Sequence, residues 1–158
     1  MRVLVTGGSG NVGHHVIDEL YRRGHSVVNA DAVRTGAGAR AAAFAGMRQS
    51  WPANPQFFEV DVTDYGQVIS AMDGCDAVIA LAARPSNANY TEEDVLRTNV
   101  TSMWNICRSA EQLNIRPVVL GGSYNAVGAM GTAVRWQPRE VKPPEYFPLD
   151  EHVYTRSE

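Results

Sequence analysis

The first thirteen residues of this sequence are compatible with few folds, because a short apolar strand runs directly into a turn rich in glycine. The predicted strand covers 2–6, and Gly7, Gly10 and Gly13 follow at three-residue intervals before a helical pattern begins. A strand-to-helix turn without side chains lets the backbone approach a pyrophosphate, whose charge the N-terminus of the helix stabilises. The arrangement therefore predicts a dinucleotide-binding turn, and the alternative is an ordinary tight turn.

The residues after this turn predict a helix and a second strand. Val12, Val16 and Leu20 recur every four positions on one apolar face of the helix, which ends at Arg22-Arg23-Gly24. The segment 25–30 is the second strand, and Asp31 ends it. A strand, a glycine turn, a helix and a second strand in this order are the opening units of a dinucleotide-binding fold.

Asp31 lies about where the acidic residue of such a fold meets the adenosine ribose. A carboxylate there accepts hydrogen bonds from the ribose hydroxyls and repels a 2′-phosphate, which favours NAD over NADP as the cofactor. Two alternatives stay open at this point. Aspartate is common at the start of turns, and Arg34, just past the strand, can accommodate a 2′-phosphate.

Three further strands are predicted, at 57–60, 77–83 and 117–122. The fourth strand is a continuous apolar run, as expected of a parallel strand buried on both faces. Asp64 and Gln67 resemble a capping box that opens a short helix, and a longer helix is predicted from Thr91. Five strands alternating with helices require right-handed parallel crossovers, so the predicted fold is α/β, a doubly wound parallel sheet of Rossmann type with strand order 3-2-1-4-5.

The composition is that of one ordinary globular domain of 158 residues, with 44% hydrophobic residues, 20% charged residues and a net charge of −3. We expect no nucleic-acid partner, no membrane span and no signal peptide, because no long basic run or sufficiently long apolar segment occurs. Cys75 and Cys107 lack C-x-x-C spacing and are predicted to be small core residues of a cytoplasmic protein. No metal site is expected; His14 and His15 are predicted to lie at the surface or partly buried.

Several separate motifs between Arg2 and about Gly128 resemble the extended short-chain dehydrogenases/reductases of the NAD-dependent epimerase/dehydratase family. The segment 6–13 resembles T-G-G-x-G-x-[IV]-G, and Asp61-Val62 resembles the D-[VIL] pair that contacts adenine. The segment 76–83 resembles D-x-V-[IV]-H-L-A-A, with Ala80 in place of the histidine, and Asn99 matches a helix asparagine that braces the active-site strand. The resemblance implies NAD as the cofactor and the following cofactor-site residues: Gly7, Gly10, Asn11, Val12, Gly13, Asp31, Asp61, Val62, Leu81, Ala82, Ala83 and Asn99.

The segment 118–128 resembles the family's V-[VI]-[FY]-x-S-S-x-x-V-Y-G motif and places Ser123 on the catalytic serine position. Gly122 and Val127 depart from that motif, and the Asn-Ala-Val-Gly variant resembles members similar to uronate dehydrogenase. By resemblance, the Ser123 hydroxyl holds a substrate oxygen while a tyrosine of a Y-x-x-x-K motif acts as general acid/base and hydride moves between a sugar carbon and the nicotinamide. Taken alone, a serine in such a turn is more often structural.

No Y-x-x-x-K motif occurs in the sequence, and Tyr154 is followed four positions later by Glu158. A glutamate there would raise the pKa of the tyrosine, so Tyr154 is not assigned as the base. We interpret 1–128 as the N-terminal part of an NAD-binding domain and 129–158 as a proline-rich active-site loop leading to a missing C-terminal half. Such a fragment is expected to bind NAD weakly, to lack useful turnover, and to expose apolar surface on the fifth strand and the long helix.

The predicted function is that of an NAD-dependent epimerase, dehydratase or dehydrogenase of a small sugar-type substrate, with a homodimer considered for the full-length protein. One alternative is a non-catalytic NAD-sensing module, which needs the glycine turn and Asp31 but no tyrosine and lysine pair. Another is an atypical flavin or NADP reductase, against which Asp31 and Ser123 argue. The residues 84–87, after the fourth strand, are either substrate contacts or an ordinary polar loop.

Overall fold

The computed structural model describes residues 1–33, 56–84 and 90–123, and these residues contain a five-stranded parallel sheet with helices packed against it. The elements in chain order are β1 (Arg2–Thr6), α1 (Gly13–Arg22), β2 (Ser26–Asp31), β3 (Gln56–Glu59), α2 (Tyr65–Met72), β4 (Ala77–Ala80), α3 (Glu92–Leu96), a π-helical segment (Arg97–Thr101), α4 (Ser102–Gln112) and β5 (Val118–Leu120). The strand order is β3-β2-β1-β4-β5, with parallel pairing throughout. The predicted α/β class and the order 3-2-1-4-5 are therefore confirmed.

The chain divides into two compact units. The first comprises Met1–Ala82 and Ser102–Gly121 and contains the whole sheet with α1, α2 and α4. The described residues of the second are 83–84, 90–101 and 122–123, which include α3 and the π-helical segment. The glycine turn therefore belongs to the first unit, together with all five strands.

The core of the first unit lies on both faces of the sheet. Leu4 of β1 is fully buried in a cluster that also contains residues of α2 and α4, among them Met72 and Ile106. Val5, the next residue along β1, is buried in a second cluster with Ile17 of α1. Successive residues of one strand thus enter opposite cores, which explains why the central strands are apolar without alternation.

The strand register aligns the carboxyl ends of the three central strands. Thr6, the last residue of β1, pairs with Ala30 of β2 and with Ala80 of β4. β4 is shorter than predicted and ends at Ala80, so Leu81 and Ala82 lie beyond the strand at this edge. Ligands of open parallel sheets bind beyond the carboxyl ends of the strands, next to the point where the chain reverses direction across the sheet.

The helices predicted from Asp64 and from Thr91 are present, but each differs from the prediction in one respect. The Asp64 carboxylate accepts the N–H of Gln67 at 3.0 Å and begins α2, but the Gln67 Oε1 atom accepts the N–H of Asp61 at 2.9 Å instead of closing the box on Asp64. The long helix predicted from Thr91 is interrupted by the π-helical segment Arg97–Thr101. Such a segment inserts one residue per turn and shifts the positions of the side chains, which a 3.6-residue periodicity does not anticipate.

Two predictions about single side chains are wrong. Cys75 is buried, as predicted, but Cys107 is exposed, because α4 turns Ile106 and Ala110 into the core instead. His14 is buried, at 5% exposure, because its ring folds back over the first turn of α1, where the Nδ1 atom lies 3.0 Å from the carbonyl oxygen of Gly10. A carbonyl oxygen only accepts, so Nδ1 carries the proton.

The described residues contain neither a membrane-spanning helix nor a cluster of metal-ligating side chains. None of the helices in 1–33, 56–84 and 90–123 has both the length and the apolar character that a membrane span requires. Within the same residues, no group of three or more histidine, cysteine, aspartate or glutamate side chains is placed to hold a metal ion. The predicted segments at 34–55, 85–89 and 124–158, with Arg34 and Tyr154, lie outside the described residues.

Candidate dinucleotide-binding site

The glycine turn passes directly over the loop that follows β4. Gly7 has a φ of +69° and donates its N–H to the Ala30 carbonyl oxygen at 2.9 Å. A Cβ atom at Gly7 would lie 2.6 Å from the backbone nitrogen of Ala82. Both the backbone angle and the neighbouring backbone therefore require glycine at this position. The turn after β1 and the loop after β4 consequently share one edge of the sheet.

The turn then closes on the carbonyl group of Gly7. Gly10 donates its N–H to that oxygen at 3.0 Å, and a Cβ atom at Gly13 would lie 2.2 Å from the same oxygen. The absence of side chains at Gly10 and Gly13 thus lets the first turn of α1 approach the end of β1. Each glycine of the predicted motif fills a distinct packing requirement, and Gly7 and Gly13 leave no space for a side chain.

The N-terminus of α1 has backbone donors that its own chain does not use. Val12 is the N-cap residue, makes no side-chain capping bond and is 60% exposed. Within the described residues, the N–H groups of Asn11, Val12 and Gly13 have no hydrogen-bond acceptor, and the first turn of α1 contains no acidic side chain. Adjacent free N–H groups at the positive end of a helix fit an anion with several acceptor oxygens, such as a pyrophosphate.

Asp31 is held in one orientation at the carboxyl end of β2. The residue is 4% exposed, and its Oδ2 atom accepts the N–H of Ser9 at 3.0 Å. Its Oδ1 atom accepts the N–H of Val33 at 3.3 Å. The structure thus places a carboxylate beside the glycine turn, where the sequence predicted it.

Asp61 lies after β3 at the same edge, because the N–H of Val60 donates to the Asp31 carbonyl oxygen at 3.0 Å. Its exposed side chain closes a local turn: Oδ1 accepts the N–H and the hydroxyl of Thr63 at 2.8 and 2.7 Å. Val62 is buried, and its carbonyl oxygen accepts the side-chain amide of Asn105 at 3.0 Å. These bonds give Asp61 and Val62 structural roles that the sequence motif did not reveal.

Leu81 and Ala82 are positioned by a buried threonine. The N–H of Leu81 donates to the Thr6 carbonyl oxygen at 3.0 Å, and the Thr6 hydroxyl oxygen lies within 3.4 Å of the N–H groups of both Leu81 and Ala82. Thr6 is 1% exposed. The sequence predicted Thr6 as the last residue of a strand and the first residue of the 6–13 motif, but not the contacts of its hydroxyl group.

The remaining predicted residues, Ala83, Asn99 and Ser123, belong to the second unit. Asn99 is 4% exposed, its Oδ1 atom accepts the N–H of Arg84 at 2.7 Å, and its Nδ2 atom donates to the Arg84 carbonyl oxygen at 3.2 Å. The Arg84 guanidinium lies 3.8 Å from the centre of the Tyr90 ring, within cation–π range. Asn99 therefore braces the main chain after β4, and Ser123 is half-buried.

The comparisons with known proteins agree with this geometry. The family model described as the NAD dependent epimerase/dehydratase family matches residues 3–153. The chain is 31% identical over 134 residues to a 3-beta-hydroxysteroid dehydrogenase of Mycolicibacterium neoaurum, covering 80% of this chain and 33% of that protein. It is 26% identical over 132 residues to a UDP-glucose 4-epimerase of Lactobacillus helveticus, covering 81% of this chain and 37% of that protein.

A solved structure shows the same fold with a cofactor. The UDP-glucose 4-epimerase of Thermus thermophilus, in complex with NAD, superposes with a TM-score of 0.74 at 25% identity, covering 99% of this chain and 47% of that one. The chain thus spans about a third of the length of the curated relatives named above and under half of this structure. The chain belongs to the NAD dependent epimerase/dehydratase family.

Proposed function

We propose that this chain is the cofactor-binding part of an enzyme that moves hydride between NAD and a carbon of a sugar-type substrate, either a sugar nucleotide or a sugar acid. The observation that carries the proposal is the set of free N–H groups at the start of α1, beside the fixed Asp31 carboxylate. NAD supplies the hydride acceptor when bound. Asn11, Val12 and Gly13 donate to its pyrophosphate, whose charge the helix end stabilises.

Asp31 selects the dinucleotide in this proposal. Its carboxylate accepts the ribose hydroxyls of the adenosine and disfavours a 2′-phosphate by charge repulsion. Asp61 and Val62 bound the adenine side, because they follow β3, the neighbour of β2. The Leu81–Ala82 backbone lies along the cofactor on the other side of Gly7, because it follows β4. Asn99 acts through the main chain of Arg84 and not by touching the cofactor.

Ser123 is proposed to hold the reacting oxygen of the substrate, and the general acid/base is proposed to lie outside these 158 residues. The sequence has a single lysine, Lys142, and the residue four positions before it is Pro138. No tyrosine is therefore spaced for a lysine to lower its pKa in the way that proton transfer to the substrate oxygen requires. We expect the chain to bind NAD and to lack turnover.

A sugar-type substrate is supported by the matches to UDP-glucose 4-epimerases, whereas a match to a hydroxysteroid dehydrogenase shows that the same cofactor fold serves other hydroxyl-bearing molecules. The homodimer and the cytoplasmic location stay predictions for the whole protein. A non-catalytic NAD-sensing module is the second candidate, favoured by the missing tyrosine and lysine pair. Reading the encoding DNA past codon 158 separates the two, since a Y-x-x-x-K motif there supports the enzyme.

Calorimetric titration with NAD and NADP tests the cofactor site. We expect the wild-type chain to prefer NAD, and Asp31→Ala to lose about tenfold in NAD affinity and most of the preference, as for the loss of one charge-assisted hydrogen-bonding group. Asp73→Ala is the matched control, because Asp73 is an exposed aspartate at the end of α2. Unchanged NAD and NADP affinities in Asp31→Ala would remove the ribose role of Asp31.

Turnover is tested on the same samples in two ways: NADH formation is followed with a uronate, and conversion of a sugar nucleotide to its epimer is followed by chromatography, because epimerisation returns the hydride and forms no net NADH. We expect neither NADH nor epimer above the level without protein. The calorimetric signal for NAD shows in each case that the protein is folded and occupied. Measurable NAD reduction or epimer formation by the 158-residue chain would place the general acid/base within these residues and overturn this part of the proposal.

A further inference from the structure

Strand β2 carries a buried polar side chain in addition to that of Asp31. Asn29 is 0% exposed and lies in register with Val5 of β1 and Phe57 of β3. Its Nδ2 atom donates to the Ser9 hydroxyl oxygen at 3.2 Å, whereas its Oδ1 atom has no donor among the described residues. An unsatisfied buried oxygen is costly, so an amide at a position where an apolar residue would pack calls for a compensating role.

Asn29 and Asp31 hold the same residue of the glycine turn. Side chains two positions apart on a strand point to the same face, so both project from β2 on one side of the sheet. Asn29 binds the hydroxyl of Ser9, and the Asp31 Oδ2 atom binds the N–H of Ser9 at 3.0 Å. Gly8 leaves room for this arrangement, because a Cβ atom there would lie 2.3 Å from the Asn29 Oδ1 atom.

We infer that Asn29 and Ser9 are positioning residues for the Asp31 carboxylate and that this pair sets the preference for NAD over NADP. The bond from Asn29 fixes Ser9, and the N–H of Ser9 then holds one carboxylate oxygen while Val33 holds the other. A carboxylate held at both oxygens keeps its charge where a 2′-phosphate would lie. A carboxylate released from Ser9 can rotate aside and admit that phosphate. The repulsion that disfavours NADP is then weaker, and the preference for NAD falls.

This inference rests on the proposed function, because it takes Asp31 to face the adenosine ribose. Asn29→Leu gives the sharpest test, since leucine has the same branched skeleton without polar atoms. The substitution removes the bond to Ser9 and also the unsatisfied oxygen, so the melting temperature should stay at the wild-type value or rise. The NAD preference should nevertheless fall. If Asn29 had only a structural role, Asn29→Leu would not lower the preference for NAD while keeping or raising the melting temperature.

Ser9→Ala is the second variant, because it removes the other partner of the same bond from a half-buried turn residue. Ser70→Ala is the matched control: the Ser70 hydroxyl also makes one hydrogen bond, to the Gly66 carbonyl oxygen at 2.7 Å within α2. NAD and NADP are titrated separately into the 158-residue wild type, each single variant and the Asn29→Leu/Ser9→Ala double variant. Thermal unfolding is measured on the same samples.

We expect each single variant to lower the ratio of NADP to NAD dissociation constants about fivefold, the double variant to lower it no further, and Ser70→Ala to leave it unchanged. A wild-type ratio in Ser9→Ala overturns the inference even where Asn29→Leu does not fold. Additive effects in the double variant overturn the pairing of the two residues. A wild-type chain that binds neither dinucleotide overturns the proposed function, and the inference with it, whereas NAD binding with unchanged ratios overturns the inference alone.

Discussion

Gly7 lacks a side chain for two separate reasons, and the chain offers a control that separates them. Gly7 and Gly24 both have positive φ angles, of +69° and +78°. A Cβ atom at Gly7 would meet the Ala82 backbone at 2.6 Å, whereas one at Gly24 would meet nothing within 4 Å. The two positions therefore share a left-handed backbone conformation, which would strain any other residue, and they differ in the space available for a side chain.

Gly24→Ala is accordingly expected to lower the free energy of unfolding by about 1 kcal/mol, the cost of a left-handed conformation for alanine. Gly7→Ala is expected to cost about 3 kcal/mol or more, because the clash with the Ala82 backbone adds to that strain, and to abolish NAD binding. Urea denaturation and calorimetry measure the two effects. Equal losses of stability in both variants would show that the Ala82 backbone moves away from the new side chain without a free-energy cost, and would contradict this argument.

Glu19 shows a charge effect that is local to one helix surface. Arg22 and Arg23 both donate to its carboxylate, which lowers the pKa of Glu19 to about 2. A lowered pKa stabilises the fold above the unfolded value of 4.5, and this contribution is lost as the pH falls through about 2. The Arg22 side chain is 70% exposed, so solvent screening keeps the contribution to stability small.

We expect Arg22→Gln to raise the pKa of Glu19 towards its ordinary value, because the Arg22 hydrogen bond is the largest cause of the shift. Titration of the Glu19 carboxyl carbon by NMR measures the change directly. Added salt should move the wild-type pKa in the same direction. An unchanged pKa in Arg22→Gln would show that Arg23 alone holds the carboxylate.

At the proposed cofactor site, the sequence predicted the conformation of the glycine turn better than it predicted the side-chain contacts. The spacing of Gly7, Gly10 and Gly13 and the position of Asp31 follow from what a strand-to-helix turn requires. Ser9 and Asn29 were not predicted, because an isolated polar residue in a strand or turn has no periodic signature. Their contacts depend on which strand lies beside which turn, and only the folded chain determines that.

At the scale of single elements, α3 begins with a complete capping box. The Thr91 hydroxyl oxygen accepts the N–H of Asp94 at 3.1 Å, and the Asp94 carboxylate accepts the N–H and the hydroxyl of Thr91. The hydrogen bond from the Thr91 side chain is the largest cause of the lowered pKa of Asp94. This stabilisation is present above the unfolded pKa of Asp94 and is lost as the pH falls through the lower folded value.

We therefore expect Thr91→Ala to lower the free energy of unfolding by about 1 kcal/mol at neutral pH, the usual effect of losing such a cap. The difference from wild type should shrink at a pH below the folded pKa of Asp94, where the carboxylate no longer accepts. Denaturation at several pH values measures this. Glu92→Gln is the control, because Glu92 lies in the first turn outside the box; a Thr91→Ala effect independent of pH would contradict the argument.

The start of α3 was predictable, but the interruption after it was not. Threonine followed by acidic residues is a local signal that needs no tertiary context. The π-helical segment Arg97–Thr101 instead contains Asn99, both of whose amide atoms bind the Arg84 backbone. The extra residue of the π-helical turn accompanies the hydrogen bonds of Asn99 to a residue far away in the sequence. No periodic pattern of residues indicates such bonds in advance.

At the scale of the whole molecule, the strand order was predictable because right-handed crossovers allow few arrangements of five strands separated by helices. The division into two units was not predictable, because its three boundaries depend on contacts in the folded chain. They follow Ala82 after β4, Thr101 at the end of the π-helical segment, and Gly121 after β5. The same topology leaves β5 at one edge of the described sheet, paired only with β4.

That edge carries apolar surface in the first unit, as predicted. Val119 and Leu120 of β5 are 52% and 46% exposed, and Trp104 of α4 is 70% exposed. An edge strand with exposed apolar side chains and unpaired backbone groups promotes pairing with another chain. We therefore expect the 158-residue chain to self-associate at micromolar concentration and to do so through β5.

Leu120→Lys should shift the weight-average mass in sedimentation equilibrium towards the monomer value of 17.2 kDa, because a charged side chain on an edge strand opposes edge-to-edge pairing. Trp104→Lys should shift it less, since α4 offers no unpaired backbone groups. Ser26→Lys adds the same charge at an exposed position at the start of β2 and should leave the mass unchanged. A monomeric wild type, or an equal shift in all three variants, would show that net charge and not the β5 edge governs association.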